Sequence, residues 1–364
     1  MNKILPARIL EILKEVIEPE NGKDLVTLGM IKDLEIHDRE IVFSIEYPKS
    51  KNPFANGVKK VAIEALKKVL GEDISVNVAI TARQVVHVER PLPEVKNIIA
   101  VASGKGGVGK STVAVNLAVA LSKLGYRVGL IDADVYGPSI PKMFQVEESR
   151  PEIKQVDGKD RIVPIEKYGI LLLSIGFFVD PRDALVWRGP MATSALKQLI
   201  HDGLWGTLDY LLVDLPPGTG DVHLTLVQTL AVTGVIIVST PQPVALADAV
   251  KGISMFTGKQ INVPVLGLVE NMAWFTPEEL PGNRYYIFGE GGCRRLAAEM
   301  NVPLLGEIPL VQGIREGGDS GVPVALDEKS ITGQAFMRLA EETVHQVSIR
   351  NATAEPTRIV EIKQ

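Results

Sequence analysis

Short, near-continuous aliphatic runs alternate with helical patterns through most of this chain. From Lys96 onward the runs fall at 98–101, 128–131, 170–175, 210–213, 235–239 and 265–270. A strand that is apolar at every position, rather than at every second one, is buried on both faces. The runs therefore predict a mostly parallel sheet covered by helices on each side, an α/β architecture. Ligands of such sheets bind beyond the carboxyl ends of the strands, so chemistry is expected along that one edge.

The first ninety residues read differently. Ile9, Leu10, Ile12, Leu13, Val16 and Ile17 recur at helical spacing until Pro19 and Gly22 break the pattern. Strand-like runs follow at 31–36 and 41–45, then an amphipathic helix from about Phe54 to Leu70, then an alternating strand at 74–80. This predicts a small α+β domain over 1–90. A break near Val88 to Glu94, with Pro91, Pro93 and their charged neighbours, predicts a linker at 91–96. The α/β domain is then expected over 97–350, followed by a loosely held polar tail over 351–364.

Composition narrows the class. A chain of 364 residues, 46% hydrophobic, is long enough for two domains, and a net charge of -5 gives no support for broad binding to nucleic acid or anionic membrane. The single cysteine, Cys293, excludes an intrachain disulfide framework and fits a reducing compartment. The first residues lack the apolar core of a signal peptide, and no apolar run is long enough to span a bilayer. A soluble, cytoplasmic protein is expected.

The candidate chemistry begins where the first of these strands ends. Gly104, Lys105, Gly106, Gly107, Val108, Gly109, Lys110 and Ser111 fit G-x-x-x-x-G-K-[ST], between a strand pattern and a helix that opens at Thr112. Glycines let successive backbone N–H groups turn onto an anion, and the helix N-terminus adds partial positive charge. Lys110 would reach the β- and γ-phosphates, and the Ser111 hydroxyl would ligate Mg²⁺. Lys105 is an additional cation that an ordinary phosphate loop does not require. Gly104, Gly106 and Gly109 also spell G-x-G-x-x-G, with Asp132 ending the next strand, as in a dinucleotide site. Two features favour a triphosphate. The Lys110-Ser111 pair has no task in a dinucleotide fold, and the 210–213 strand ends in Asp214 before Pro216, Pro217 and Gly218, a carboxylate placed to hold a metal's water shell.

These motifs, with Asp132-Ala133-Asp134, Asp214 through Asp221, and Glu270-Asn271-Met272, closely resemble the Mrp/ApbC family, deviant-Walker ATPases of the MinD/ParA superfamily. Val16 to Glu20 and Leu25 to Met30 likewise resemble the small domain that many bacterial members carry. The resemblance implies an ATP- and Mg²⁺-dependent ATPase that forms a homodimer around nucleotide. It also implies carriage of iron–sulfur clusters, with assembly factors or apo-protein clients as partners. It assigns Lys105 to the partner subunit's nucleotide, Asp134 to the attacking water, Asp214 to Mg²⁺ through water, Gly218 and Gly220 to the γ-phosphate, and Asn271 to the adenine edge.

The chain departs from the family at one place. Many relatives carry Cys-x-x-Cys shortly after the Asn-Met pair, whereas residues 271–289 here contain no cysteine. A [4Fe-4S] cluster shared between subunits would normally take four thiolates, and Cys293 is the one thiol each chain can offer. Without the family cysteines, a nucleotide-switched scaffold that recruits partners and carries no cluster is the competing reading. Plainer readings stand beside the site assignments: Lys105 as a solvent-facing lysine, Asp134 as a local cap, Asp214 as a turn residue, Asn271 as a backbone-satisfying turn former, and Cys293 as a small buried hydrophobe. The five histidines are scattered; His223, near the second switch that the resemblance places at Gly218 and Gly220, reads as a satisfied surface histidine in preference to one that responds to nucleotide state. Trp274, Phe275, Tyr285 and Tyr286 form an aromatic cluster expected to pack on the sheet.

Overall fold

A computed structural model describes residues 4–47, 52–82, 91–135, 137–178, 189–277, 279–280 and 282–360. Of the predicted break at 88–94, residues 88–90 lie outside the described residues, as does His87. The chain divides into two compact units, 1–88 with 344–356 and 89–343 with 357–364.

The first unit opens with helix α1 (Pro6–Leu13), whose buried Ile9, Leu10, Ile12 and Leu13 are the spacing read from the sequence. Val16 and Ile17, expected to continue it, lie beyond its end, and Ile17 begins a two-residue pairing of β1 (Ile17–Glu18) with β2 (Lys23–Asp24). Strands β3 (Ile31–His37) and β4 (Glu40–Tyr47) pair antiparallel, helix α2 (Ala55–Leu70) crosses over, and β5 (Ser75–Ala82) pairs parallel with β4. Their inward residues, among them Phe43, Ile45, Val58 and Leu66, form one apolar core that also includes Ala352.

The second unit is built on an eight-stranded sheet, ordered β10-β11-β7-β12-β6-β13-β14-β15. Strand β6 (Val95–Ala102) lies inside it, with Ile99, Ala100 and Val101 fully buried. Helix α3 (Lys110–Lys123) leads back to β7 (Val128–Asp132). Every residue of α3 from Val113 to Leu121 is buried, as expected of a helix that is apolar all round. Its one polar member in that stretch, Asn116, is satisfied: its amide donates to Thr112 O at 2.9 Å and its Oδ1 accepts from Ala325 N at 3.0 Å.

The single-turn helix α4 (Ile140–Met143) precedes a hairpin of β8 (Ile153–Val156) and β9 (Lys159–Ile162), then β10 (Ile165–Lys167), which lies antiparallel beside β11 (Ile170–Ser174). Helix α5 (Gly189–Asp202), β12 (Leu208–Asp214), α6 (Asp221–Thr229), β13 (Gly234–Ser239), α7 (Pro243–Thr257) and β14 (Val265–Phe275) continue the alternation. After them come α8 (Gly292–Met300), β15 (Leu304–Leu310), α9 (Gln312–Ser320) and α10 (Ile331–Thr353). All neighbours from β11 to β15 are parallel, which matches the sheet read from the aliphatic runs. Strand β15 went unread because Gly306 and Pro309 interrupt it. Its place at the sheet edge is where proline is tolerated.

The C-terminal segment differs from the loose tail expected at 351. Helix α10 runs to Thr353, Ala352 is buried in the first unit's core, and Val360 N donates to Val227 O at 2.9 Å in the second unit. The aromatic cluster is likewise split. Arg284 stacks over Trp274 with 4.1 Å to the ring centroid, whereas Tyr285 and Tyr286 stand exposed instead of packing on the sheet.

The entry to β12 is anchored by Asp209. Its carboxylate accepts from the Arg127 backbone N at 3.0 Å and from the Arg127 guanidinium, and it pairs with Lys96 at 2.9 Å. Burial alone would raise its pKa, but these donors outweigh burial and hold it well below the usual carboxylate range. A depressed pKa adds stability above the unfolded value, about 4, and that stability is lost as pH falls through the folded value. Asp209→Asn should therefore lower the thermal midpoint at pH 7. The gap from the parent should shrink as pH drops below about 4, and a pH-independent gap would count against this account.

Candidate functional site

The site forms where four strands end side by side. Asp214, closing β12, is in register with Asp132, closing β7, and Asp132 is in register with Ser174, closing β11. Strand β6 runs beside β12 and leads into the glycine loop and helix α3. A cavity of about 220 Å³ opens there. It is lined by Ser103, Lys105, Gly106, Gly107, Gly109, Lys110, Ser111 and Thr112 from the loop and helix, Asp134, Ser139 and Met143 from the segment after β7, and Pro217 after β12. The structure thus gathers most of the residues read from the sequence. Ser139 and Met143 were not foreseen, because no motif marks them.

The loop's shape depends on glycine at two positions. A Cβ at Gly104 would run into the backbone of Asp248 and Ala249 in α7. Gly109 adopts φ +80°, in the left-handed region, and a Cβ there would strike the Asn271 amide nitrogen. That amide donates to Val108 O at 2.8 Å, with Asn271 only 5% exposed, so Asn271 buttresses the glycine loop across the top of the sheet. It does not line the cavity. This backbone-satisfying contact is closer to the plainer reading of Asn271, although the backbone it serves lies far away in sequence. Gly109→Ala should cost roughly 1–2 kcal/mol in backbone conformation alone, plus displacement of Asn271. Urea unfolding should show the lowered midpoint, together with weakened nucleotide retention. An unchanged midpoint would contradict the assigned geometry.

Buried charge is concentrated at the foot of the cavity. Lys110, 6% exposed, pairs with fully buried Asp214 at 2.5 Å and donates to Ser111 Oγ at 3.2 Å. The Ser111 hydroxyl donates to the other Asp214 oxygen at 2.6 Å. Burial raises the pKa of Asp214, opposed by the Lys110 ammonium and the Ser111 hydroxyl. A buried carboxylate with an ammonium and a hydroxyl at the N-terminus of a fourteen-residue helix is the donor set that a magnesium-bound polyphosphate requires. Lys105 is exposed at the rim of the cavity.

Asp132 proves to be structural, which removes the dinucleotide alternative for it. It is fully buried, and its oxygens accept from Ser174 Oγ at 3.0 Å, Asp134 N at 3.2 Å and Ile140 N at 3.3 Å. Burial and the neighbouring Asp214 raise its pKa to about 8. No ribose hydroxyl can reach a carboxylate enclosed in this way. Its bonds instead fix the start of the 133–140 segment that brings Asp134 to the cavity. Ser174, missed by motif reading, could have been found as the one polar residue within the 170–175 run.

After β12, Gly218 takes φ +92° and its N–H donates to Ser103 O at 2.9 Å, tying the 216–220 loop to the end of β6. His223, in the first turn of α6, is not the surface histidine expected. It is 1% exposed, and neither ring nitrogen has a hydrogen-bond partner. Burial lowers its pKa to about 4, so the ring is neutral at physiological pH.

Cys293 begins α8 with its side chain fully buried in the core of the second unit. Its N–H donates to Glu270 at 2.5 Å, and burial pushes its thiol pKa far up. An enclosed thiol beside a carboxylate does not suit an iron ligand, so that expectation is corrected in favour of the small buried hydrophobe. Among the described residues no group of three or more His, Cys, Asp or Glu is placed to hold a metal ion, and no helix is long and apolar enough to cross a membrane.

The sequence family described as NUBPL iron-transfer P-loop NTPase matches residues 94–344. The chain belongs to this family. A second family, described as iron-sulfur cluster assembly protein, matches residues 6–78. An iron-sulfur cluster carrier protein of Synechocystis sp. is 42% identical over 349 residues, covering 94% of this chain and 97% of that protein. The Arabidopsis thaliana iron-sulfur protein required for NADH dehydrogenase, mitochondrial, is 51% identical over 258 residues, covering 70% of this chain and 80% of that protein. Among solved structures, the ADP complex of a nucleotide-binding protein from Archaeoglobus fulgidus is 39% identical with a TM-score of 0.55, covering 64% of this chain and 89% of the other. The cell division ATPase MinD of Pyrococcus furiosus shares the fold, with a TM-score of 0.50 at 24% identity over 68% of this chain and 97% of its own. The iron-transfer P-loop NTPase family thus accounts for the larger unit, and its relatives bear the name of cluster carriers.

Proposed function

We propose that the chain is a Mg²⁺-dependent ATPase that works as a homodimer and delivers iron–sulfur clusters to apo-proteins. The observation that carries the ATPase reading is the Lys110–Asp214–Ser111 network beneath a glycine cradle. A triphosphate entering the cavity draws Lys110 from Asp214 toward its β- and γ-phosphates. That releases the carboxylate and the Ser111 hydroxyl to hold Mg²⁺, Asp214 through water. Bound there, the metal would neutralise charge developing on the phosphoryl oxygens. Asp134 orients the attacking water, Gly218 and Gly220 sense the γ-phosphate, and Asn271, whose amide nitrogen holds the glycine loop, reads the adenine edge with its carboxamide oxygen. Exposed Lys105 reaches the nucleotide of the partner subunit, a mobile cation serving as an arginine finger does.

The cargo reading rests on the names of the relatives and on the match of the first unit to an iron-sulfur assembly family. A second reading, a nucleotide-switched scaffold that recruits assembly partners without holding a cluster, is favoured by the enclosed Cys293 and the cysteine-free 271–289 segment. Anaerobic reconstitution with iron and sulfide separates them. Carriage predicts a stable visible chromophore with bound iron. If a chromophore forms and survives Cys293→Ala, other ligands hold the cluster; if the parent retains no iron, the scaffold reading stands.

A further inference from the structure

The ATPase reading leaves His223 without a task, although the structure gives it an unusual setting. The imidazole is buried beneath the second switch, its ring centroid 6.2 Å from that of Phe256 in α7. Its own backbone N–H donates to Gly220 O at 3.1 Å, so the residue is built into the first turn of α6 directly after the switch. Neither ring nitrogen makes a hydrogen bond. The acceptors that act on the ring most closely are the carbonyls of Gly220 and Pro216, one at each end of the 216–220 loop, and both fall outside bonding geometry here. Burial, with a smaller contribution from the Lys110 ammonium, opposes a charge on the ring and keeps it neutral, with one N–H to donate.

A buried imidazole with no partner is costly, and such groups are rare in folded chains. A small movement of the loop that carries Pro216 and Gly220 would remove the cost. The same loop contains Gly218, which has a positive φ and is bonded to Ser103, a residue lining the cavity. We propose that His223 is a positioning residue for the second switch. When the 216–220 loop closes on a γ-phosphate, the neutral imidazole donates to one of the loop's own carbonyls, so closure and γ-phosphate recognition become linked to helix α6. The proposal rests on the ATPase reading and adds to it the means by which a triphosphate is told from a diphosphate.

The test uses the full chain with His223→Phe, which fills the space without a donor, and His223→Gln, which keeps an N–H. Steady-state hydrolysis is measured alongside binding of fluorescent ADP and of a non-hydrolysable ATP analogue. The Phe variant should lose about tenfold in kcat, the worth of one hydrogen bond made on closure. It should also lose the parent's preference for the triphosphate analogue while binding ADP as the parent does. Its thermal midpoint without nucleotide should match or exceed the parent's, because the ring is unpaired in this arrangement. The Gln variant should regain most of the kcat and the preference. A Phe variant with parental kcat and preference overturns the proposal, as does a loss that Gln does not restore and that follows a lowered midpoint. A parent chain that hydrolyses no ATP removes the ATPase reading and this proposal together, whereas a hydrolysing parent with an unaltered Phe variant removes only the latter.

Discussion

Lys110→Ala is expected to abolish measurable ATP hydrolysis and to weaken nucleotide binding. Lys110 is a cation buried against Asp214 and Ser111, and removing it takes away both the phosphate contact and the counter-charge of a carboxylate with no access to solvent. Losing one preorganised group of this kind typically costs roughly 100- to 1000-fold in kcat. The carboxylate left behind will take up a proton instead of remaining a buried unpaired charge, so Mg²⁺ dependence should fade along with turnover. Parallel titrations of ATP and Mg²⁺ against phosphate release provide the check. A variant that turns over at the parental rate would mean that the phosphate site lies elsewhere.

Lys105→Ala should behave in a contrasting way. Lys105 is exposed at the cavity rim, and among the described residues no ion pair of its own is seen. Its removal should leave the fold and the binding of nucleotide by a single subunit close to those of the parent. If Lys105 supplies charge to the partner's γ-phosphate, hydrolysis should fall by roughly 1000-fold, the usual worth of a cation provided in trans. Mixing the variant with Lys110→Ala chains sharpens the measurement. Each heterodimer then contains one site that joins the intact Lys110 of the Lys105→Ala chain to the intact Lys105 of the Lys110→Ala chain, and that site should recover activity. Parental turnover in Lys105→Ala alone would leave the lysine a solvated loop residue.

The glycine loop, Lys110, Ser111 and Asp214 were legible because phosphate binding constrains spacing within a few residues, and such spacing survives in a linear string. The parallel sheet was legible for a related reason, since burial on both faces forces continuous aliphatic runs at 98–101 in β6, 211–213 in β12 and 235–238 in β13. What escaped depends on contacts between distant segments. Asp132 and Ser174 meet only through strand register, Asn271 reaches Val108 across 163 positions, and nothing local distinguishes His223 from an exposed histidine at a helix start. Strand β15 was hidden by the proline and glycine that its edge position permits. Cys293 shows the converse limit, because a lone cysteine carries no signal of its burial until the core around it is assembled.

The course of helix α10 constrains how the protein can be divided. Residues 344–356 belong with residues 1–88, where Ala352 and Ile349 join the apolar interior and the Asn351 carbonyl accepts from Lys32. A fragment cut after residue 88 would therefore be missing one wall and would present oily surface to water. Separate production of the assembly-type module calls for a grafted copy of that last helical stretch.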